Sequence, residues 1–240
     1  MPASGLSTTR SAGISASRAE SSASAPRARL GLIAGFVLLL ATGFTDAYTF
    51  LRHGHVFAEA MTGNLVLVGV GALRPSIVAF WRPLLAYGAF VAGVIALWAL
   101  ARRRGAGDAE DAWAQRATLV VEILVLAVVG ALPGSFPQAA ITAAISFAAG
   151  LQISAFRSVG AASLSTVVMT TNTMQAVNAT LTALQTRAPD ELARARGLLA
   201  ALTGFIGGVF LGAATSTWLH DRAAWVGAAA FALAAALQRP

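Results

Sequence analysis

Eight apolar runs, at 30–51, 61–73, 83–101, 117–132, 139–156, 163–184, 198–219 and 223–237, alternate with short polar connections along the chain. A helix needs about 20 apolar residues to cross the hydrocarbon core. The pattern therefore predicts an all-α, polytopic transmembrane helix bundle. Two runs depart from it. The run 61–73 is short, and extending it backwards draws Glu59 into lipid. The run 163–184 is longer but diluted by Ser165, Thr166, Thr170, Thr171, Asn172, Thr173, Gln175 and Asn178. Neither reads as an ordinary lipid-facing span.

Arginine placement decides how these two runs are read. Cytoplasmic loops carry an excess of basic residues. If all eight runs cross, the cluster Arg102–Arg104 falls on the side away from the N-terminus. If the second and sixth runs dip in and return, only Arg52, Arg74, Arg82 and Arg222 lie on that far side, and the other arginines share the N-terminal side. The expected architecture is therefore about six crossings plus two short broken or re-entrant segments. The halves, 30–132 and 139–237 joined by a linker at 133–138, then each hold three crossings, and the repeat is inverted. Short or interrupted segments at matching positions of two halves are the sequence pointer to a transporter site.

Composition agrees with a membrane chain. Of 240 residues, 57% are hydrophobic and 11% charged, against roughly 25% charged in soluble domains. The mean hydropathy is +0.70. The net charge of +7 comes from arginines scattered between apolar runs rather than along one face, so it predicts topology and no nucleic-acid partner. Without cysteine there is no thiolate nucleophile or Cys-based metal site. Residues 1–29 hold Ser, Ala and Arg with too few large apolar residues for a core, and are expected to form a disordered cytoplasmic tail. The expected location is the cell inner (plasma) membrane, multi-pass, with the N-terminus cytoplasmic.

Candidate chemistry gathers in two stretches. Asp46 lies about 16 residues into the first run, roughly 24 Å along a helix, and an ionisable group at that depth marks a cation or proton site unless it sits at the interface beside Arg52. Thr62, Gly63 and Asn64 open the short second run, where unpaired N–H groups and the positive dipole end meet. In the second half Gln152 stands near the position of Asp46, and Thr170, Thr171 and Asn172 reproduce the Thr-Gly-Asn element with Thr in place of Gly. The candidate substrate- or ion-binding residues are Asp46, Thr62, Gly63, Asn64, Gln152, Thr170 and Asn172. His53 and His55, with Glu59, are a metal set only in an extended loop, because two residues apart on a helix they point about 200° from one another; no metal is expected. Glu122 is read as pairing with Arg116 or snorkelling to the interface. Gly204, Gly208 and Gly212, and Ala89 with Gly93, mark faces for close helix packing, between matching helices of the two halves or across a homodimer. No nucleophile elbow, P-loop or dinucleotide fingerprint occurs, so no enzyme activity and no cofactor are expected.

The stretch Gly43–Gly69, GFTDAYTFLRHGHVFAEAMTGNLVLVG, resembles the signature of the YoaK-like bacterial membrane proteins, in which a Gly-x-x-Asp-Ala element precedes Thr-Gly-Asn. The stretch from Ala149 to Asn172 is similar to the same family's second element, with Ile153, Ser154 and Thr171 where Asn, Ala and Gly are usual. The resemblance covers about 30–237 and implies an integral membrane protein of bacterial type without implying a substrate. The functional expectation is a small secondary transporter or channel for a small solute, coupled to protons or cations through Asp46, with a non-transporting membrane scaffold or sensor as the alternative.

Overall fold

The structure is a computed structural model that describes residues 31–104, 108–156 and 169–238. The tail 1–29, the beginning of the sixth apolar run, and Arg10, Arg18, Arg27, Arg29, Arg157 and Arg239 lie outside the described residues. Among the described residues eight α-helices follow one another: α1 (Leu32–Arg52), α2 (Met61–Ala72), α3 (Ile77–Arg104), α4 (Asp108–Ala131), α5 (Gln138–Ala155), α6 (Met169–Thr186), α7 (Pro189–Leu219) and α8 (Ala224–Leu237). A 3-10 turn, His220–Ala223, separates the last two.

Several helices begin well before their apolar runs. α3 starts at Ile77 and carries Pro83 in its second turn, and α7 starts at Pro189 with Asp190 and Glu191 in its first turn. Proline at the first position and acids beside the positive dipole end are favourable there, so the helix continues out of the apolar zone.

Among the described residues five helical runs are long and apolar enough to cross a membrane: Leu32–Arg52, Ile77–Arg104, Ala112–Ala131, Gln138–Ala155 and Pro189–Leu237. The last is 49 residues long and doubles back at the 3-10 turn. Two contacts on α1 show this: the Tyr48 hydroxyl donates to the Asp221 carbonyl (2.9 Å), while Gly227 packs one turn further back against Phe44. α8 thus returns antiparallel to α1 and α4.

Their directions follow from contacts. Gly204, Gly208 and Gly212 of α7 meet Phe36, Leu40 and Phe44 of α1 in that order, so α1 and α7 run parallel. α5 runs the other way: Thr142 donates to the His53 carbonyl (3.3 Å), and Gln152 Nε2 donates to Thr42 Oγ1 (2.8 Å). Had all eight apolar runs crossed, α1 and α5 would be parallel. Their antiparallel arrangement places the ends of α1, α4 and α7 with the starts of α3, α5 and α8 at one end of the bundle, here termed the Arg52 end.

The glycine faces are used within the chain. Those of α7 lie against α1, and Gly93 of α3 lies against Phe147 and Gly150 of α5. This corrects the expectation that matching helices α3 and α7 meet one another: each packs instead on the first helix of the other half. α2 rests on α3, and α6 on α7, while α4 meets α8. Apolar side chains such as Leu65, Val66, Trp98, Leu124, Phe210 and Leu233 cover the outside of the bundle, which is the surface that lipid wets.

Candidate functional site

α2 is re-entrant. Its 12 residues span about 18 Å at 1.5 Å per residue, too little for the hydrocarbon core of about 30 Å. The chain leaves α1 at His53, dips through 54–60 into the bundle, and climbs back along α2 to the same end. There Gly71 touches Ala79, and Gly54 touches Arg82 at the start of α3. Backbone without helical hydrogen bonds is tolerated at that depth only when buried in protein. Two side chains supply the missing partners.

The first is Asp46, buried on α1. Its Oδ1 accepts the Glu59 N–H at 2.8 Å and the Ala60 N–H at 3.3 Å. α2 has no cap from its own leading residues, so an aspartate one helix away performs the capping. The carboxylate also faces the positive end of the α2 dipole. Arg52 is not its partner, since that guanidinium pairs with Asp221 at 2.9 Å.

The second is Asn64, fully buried. Its Oδ1 accepts the Phe57 N–H (3.0 Å) and its Nδ2 donates to the Phe57 carbonyl (2.8 Å). One carboxamide thus closes the loop as a neighbouring strand would. Asn64→Ala leaves both Phe57 groups unpaired, and each such loss costs about 1–3 kcal/mol. Thermal unfolding in detergent is expected to show a clear drop for this variant and a smaller one for Asn64→Asp, which keeps the acceptor.

Around these two lies a polar cluster that no single stretch of sequence contains. Glu59, at the tip of the loop and 1% exposed, places Oε1 2.7 Å from Thr45 Oγ1. The same hydroxyl is 2.8 Å from the Thr42 carbonyl. A hydroxyl has one hydrogen, so it cannot donate to both. Glu122 of α4, also 1% exposed, lies within electrostatic range of Glu59. Gln152 reaches in from α5 to Thr42. Among the described residues, Glu59 Oε2, Glu122 Oε1 and Gln152 Oε1 are buried without a hydrogen-bond partner.

The sequence candidates therefore divide. Asp46, Asn64 and Gln152 are brought together with Thr42, Thr45, Glu59 and Glu122. Gly63 serves the loop, because its missing side chain leaves room for the Phe57 ring. Thr62 and Thr170 are exposed, whereas Asn172 is buried on α6. Glu122 is corrected: it is buried deep in the bundle rather than paired with Arg116 or reaching the interface. His53 is buried edge-on against Tyr48, and His55 is exposed beside Phe50, so the two imidazoles diverge. In the sequence Glu59 stands out as an energetic obstacle to extending α2 and as a third member of the discounted His53 and His55 metal set. The signal for its role is that obstacle itself, since an acid directly before a half-length apolar helix must be accommodated by the fold.

Five runs of crossing length among the described residues, a helix that enters and leaves by one end, and buried acids at its tip define a polytopic α-helical membrane protein with a buried polar cluster. The family model described as "Protein of unknown function (DUF1275)" matches residues 34–237, and the chain belongs to that family. It is 32% identical over 142 residues to the "UPF0700 transmembrane protein YoaK" of Bacillus subtilis (strain 168), an overlap covering 56% of this chain and 60% of that relative. The YoaK-like resemblance of Gly43–Gly69 is thereby established. No solved structure matches.

Proposed function

We propose that the protein is a small secondary transporter or channel of the cell inner membrane, coupled to protons through the cluster of Asp46, Glu59 and Glu122. The carrying observation is that this cluster is buried at membrane depth with carboxyl oxygens lacking partners. Unpaired polar groups there cost several kcal/mol each, and intramembrane acids mark ion or proton pathways. The Thr45 hydroxyl bears on where a proton sits. If Thr45 donates to the Thr42 carbonyl, as buried helix hydroxyls do, Glu59 Oε1 must donate to Thr45 and Glu59 carries a proton. The mobile group is then Glu59, while Asp46 holds the loop that presents it.

Two further observations support the reading. The antiparallel course of α1 and α5, and the matched pairings of α1 with α7 and α5 with α3, are what two inverted repeats produce. Gly43 fits against the Phe205 carbonyl of α7 as Gly150 fits against the Phe90 carbonyl of α3. With a cytoplasmic N-terminus, the Arg52 end faces outward and Arg102–Arg104 face inward, in keeping with the positive-inside bias. The scaffold reading draws on one observation, that Asp46 already has a structural task.

Proteoliposomes with a pH-sensitive dye inside and an imposed pH gradient separate the two. A panel of small anionic, cationic and neutral solutes is added in turn. At least one is expected to accelerate internal pH change over the solute-free rate, and Glu59→Gln is expected to abolish that acceleration. If no solute acts, the non-transporting reading holds.

A further inference from the structure

A second site, distinct from the carboxylate cluster and independent of transport, lies at the Arg52 end. Between the descending loop, α2 and the start of α3 is a cavity of about 290 Å³, near the lower limit of small-molecule pockets, about 300–1,000 Å³. Its lining includes Gly54, His55, Leu67, Arg74, Val78 and Arg82. No acidic side chain lines it. Among the described residues the acid at this end that pairs with an arginine is Asp221, and it is held by Arg52. Among the described residues neither Arg74 nor Arg82 has a carboxylate partner.

The cation at the rim is placed rather than free. Gly54 adopts φ +87°, and a Cβ there would come within 2.7 Å of Arg82 Nη1. The absent side chain lets the half-buried guanidinium lie on the loop. The rest of the lining is largely apolar, Leu67 and Val78 among it, and Ser76 contributes a hydroxyl. Two guanidinium groups on an otherwise apolar cavity recognise a phosphate or carboxylate, and its apolar lining accepts an alkyl chain.

We infer that this cavity binds an amphipathic anion, an anionic head on a short apolar chain, with Arg74 and Arg82 holding the head. The chemistry is shared by an anionic phospholipid and by a soluble alkyl phosphate or carboxylate. The full chain, purified in a neutral maltoside detergent, is titrated with n-octyl phosphate and with n-octyl glucoside, which has the same chain and no charge. Octyl phosphate is expected to raise the unfolding midpoint and octyl glucoside to leave it unchanged. Arg74→Gln with Arg82→Gln is expected to weaken the octyl phosphate effect about tenfold or more, as loss of charge-assisted hydrogen bonds does, and the corresponding double Lys variant to retain most of it. Equal stabilisation by both octyl compounds, or an unchanged response in the Gln variant, overturns the inference. Should the double Gln variant fail to fold, Arg74→Gln alone carries the test, because Arg74 is exposed. Native mass spectrometry after extraction from mixed phosphatidylglycerol and phosphatidylcholine vesicles separates the sources. Phosphatidylglycerol retained by the wild type and lost from the variant assigns the site to lipid. Octyl phosphate binding without retained phosphatidylglycerol assigns it to a soluble anion, and binding of neither rejects it.

Discussion

Gly208→Val is expected to abolish the folded protein, while Gly207→Val, one residue away, leaves it largely intact. At Gly208 a Cβ would fall directly on the Leu40 carbonyl and within 2.9 Å of the Phe44 nitrogen, both backbone atoms of α1. Neither can swing aside as a side chain does. Accommodating valine requires α1 and α7 to separate along their length, which removes the contacts made through Gly204 and Gly212 as well. Overpacking of this kind costs about 1–3 kcal/mol and occasionally more. Because the obstacle is a helix backbone, the upper part of that range applies. At Gly207 a Cβ meets nothing within 4 Å, and a residue with a side chain is a better helix former than glycine by a few tenths of a kcal/mol or more. Size-exclusion profiles and thermal unfolding in detergent read the contrast. The mirror substitution Gly43→Val, opposed by the Phe205 carbonyl, is expected to fail in the same way.

The second large effect separates two tasks of one residue. Asp46→Asn keeps an oxygen that can accept from the Glu59 and Ala60 N–H groups, so the loop is held and the fold remains near wild-type stability. Asp46→Ala removes the acceptor, leaves both N–H groups buried and unpaired, and is expected to lower stability by about 2–3 kcal/mol. The loop tip then loses its position and Glu59 with it. Asp46→Asn and Asp46→Ala should thus differ sharply in unfolding midpoint, and in proteoliposomes only Asp46→Asn should leave Glu59 placed to carry a proton.

Much of this architecture is legible along the chain, for definable reasons. An apolar run of crossing length, a half-length run, and arginines confined to particular connections are local features, so a multi-pass helical bundle with a half-length α2 follows from them. Asp46 and Asn64 stand out because a carboxylate and a carboxamide at membrane depth are costly wherever they point. Partners are a different matter. The glycines of α7 announce a close approach, but their spacing says nothing about which helix approaches, and it is α1 rather than α3. Glu122 sits six residues from Arg116, and linear distance favoured that pair. Burial of α4 between α5 and α8 turns Glu122 inward toward Glu59, which is 63 positions earlier in the chain. Glu59 itself lies in a connection, and nothing local reveals that the connection descends into the bundle. Thr170 shows the opposite failure, in which a repeated motif places a residue by analogy although its own helix leaves it exposed.

In the proposed proton-coupled mechanism Glu59 holds a proton that exchanges with water. Infrared difference spectroscopy of the purified protein, on transfer from H2O to D2O, reads this without a substrate. The expected result is a carbonyl band of a protonated, buried carboxyl group that shifts on exchange, is missing from Glu59→Gln, and persists in Asp46→Asn. A spectrum in which Glu59→Gln is indistinguishable from the wild type would contradict it.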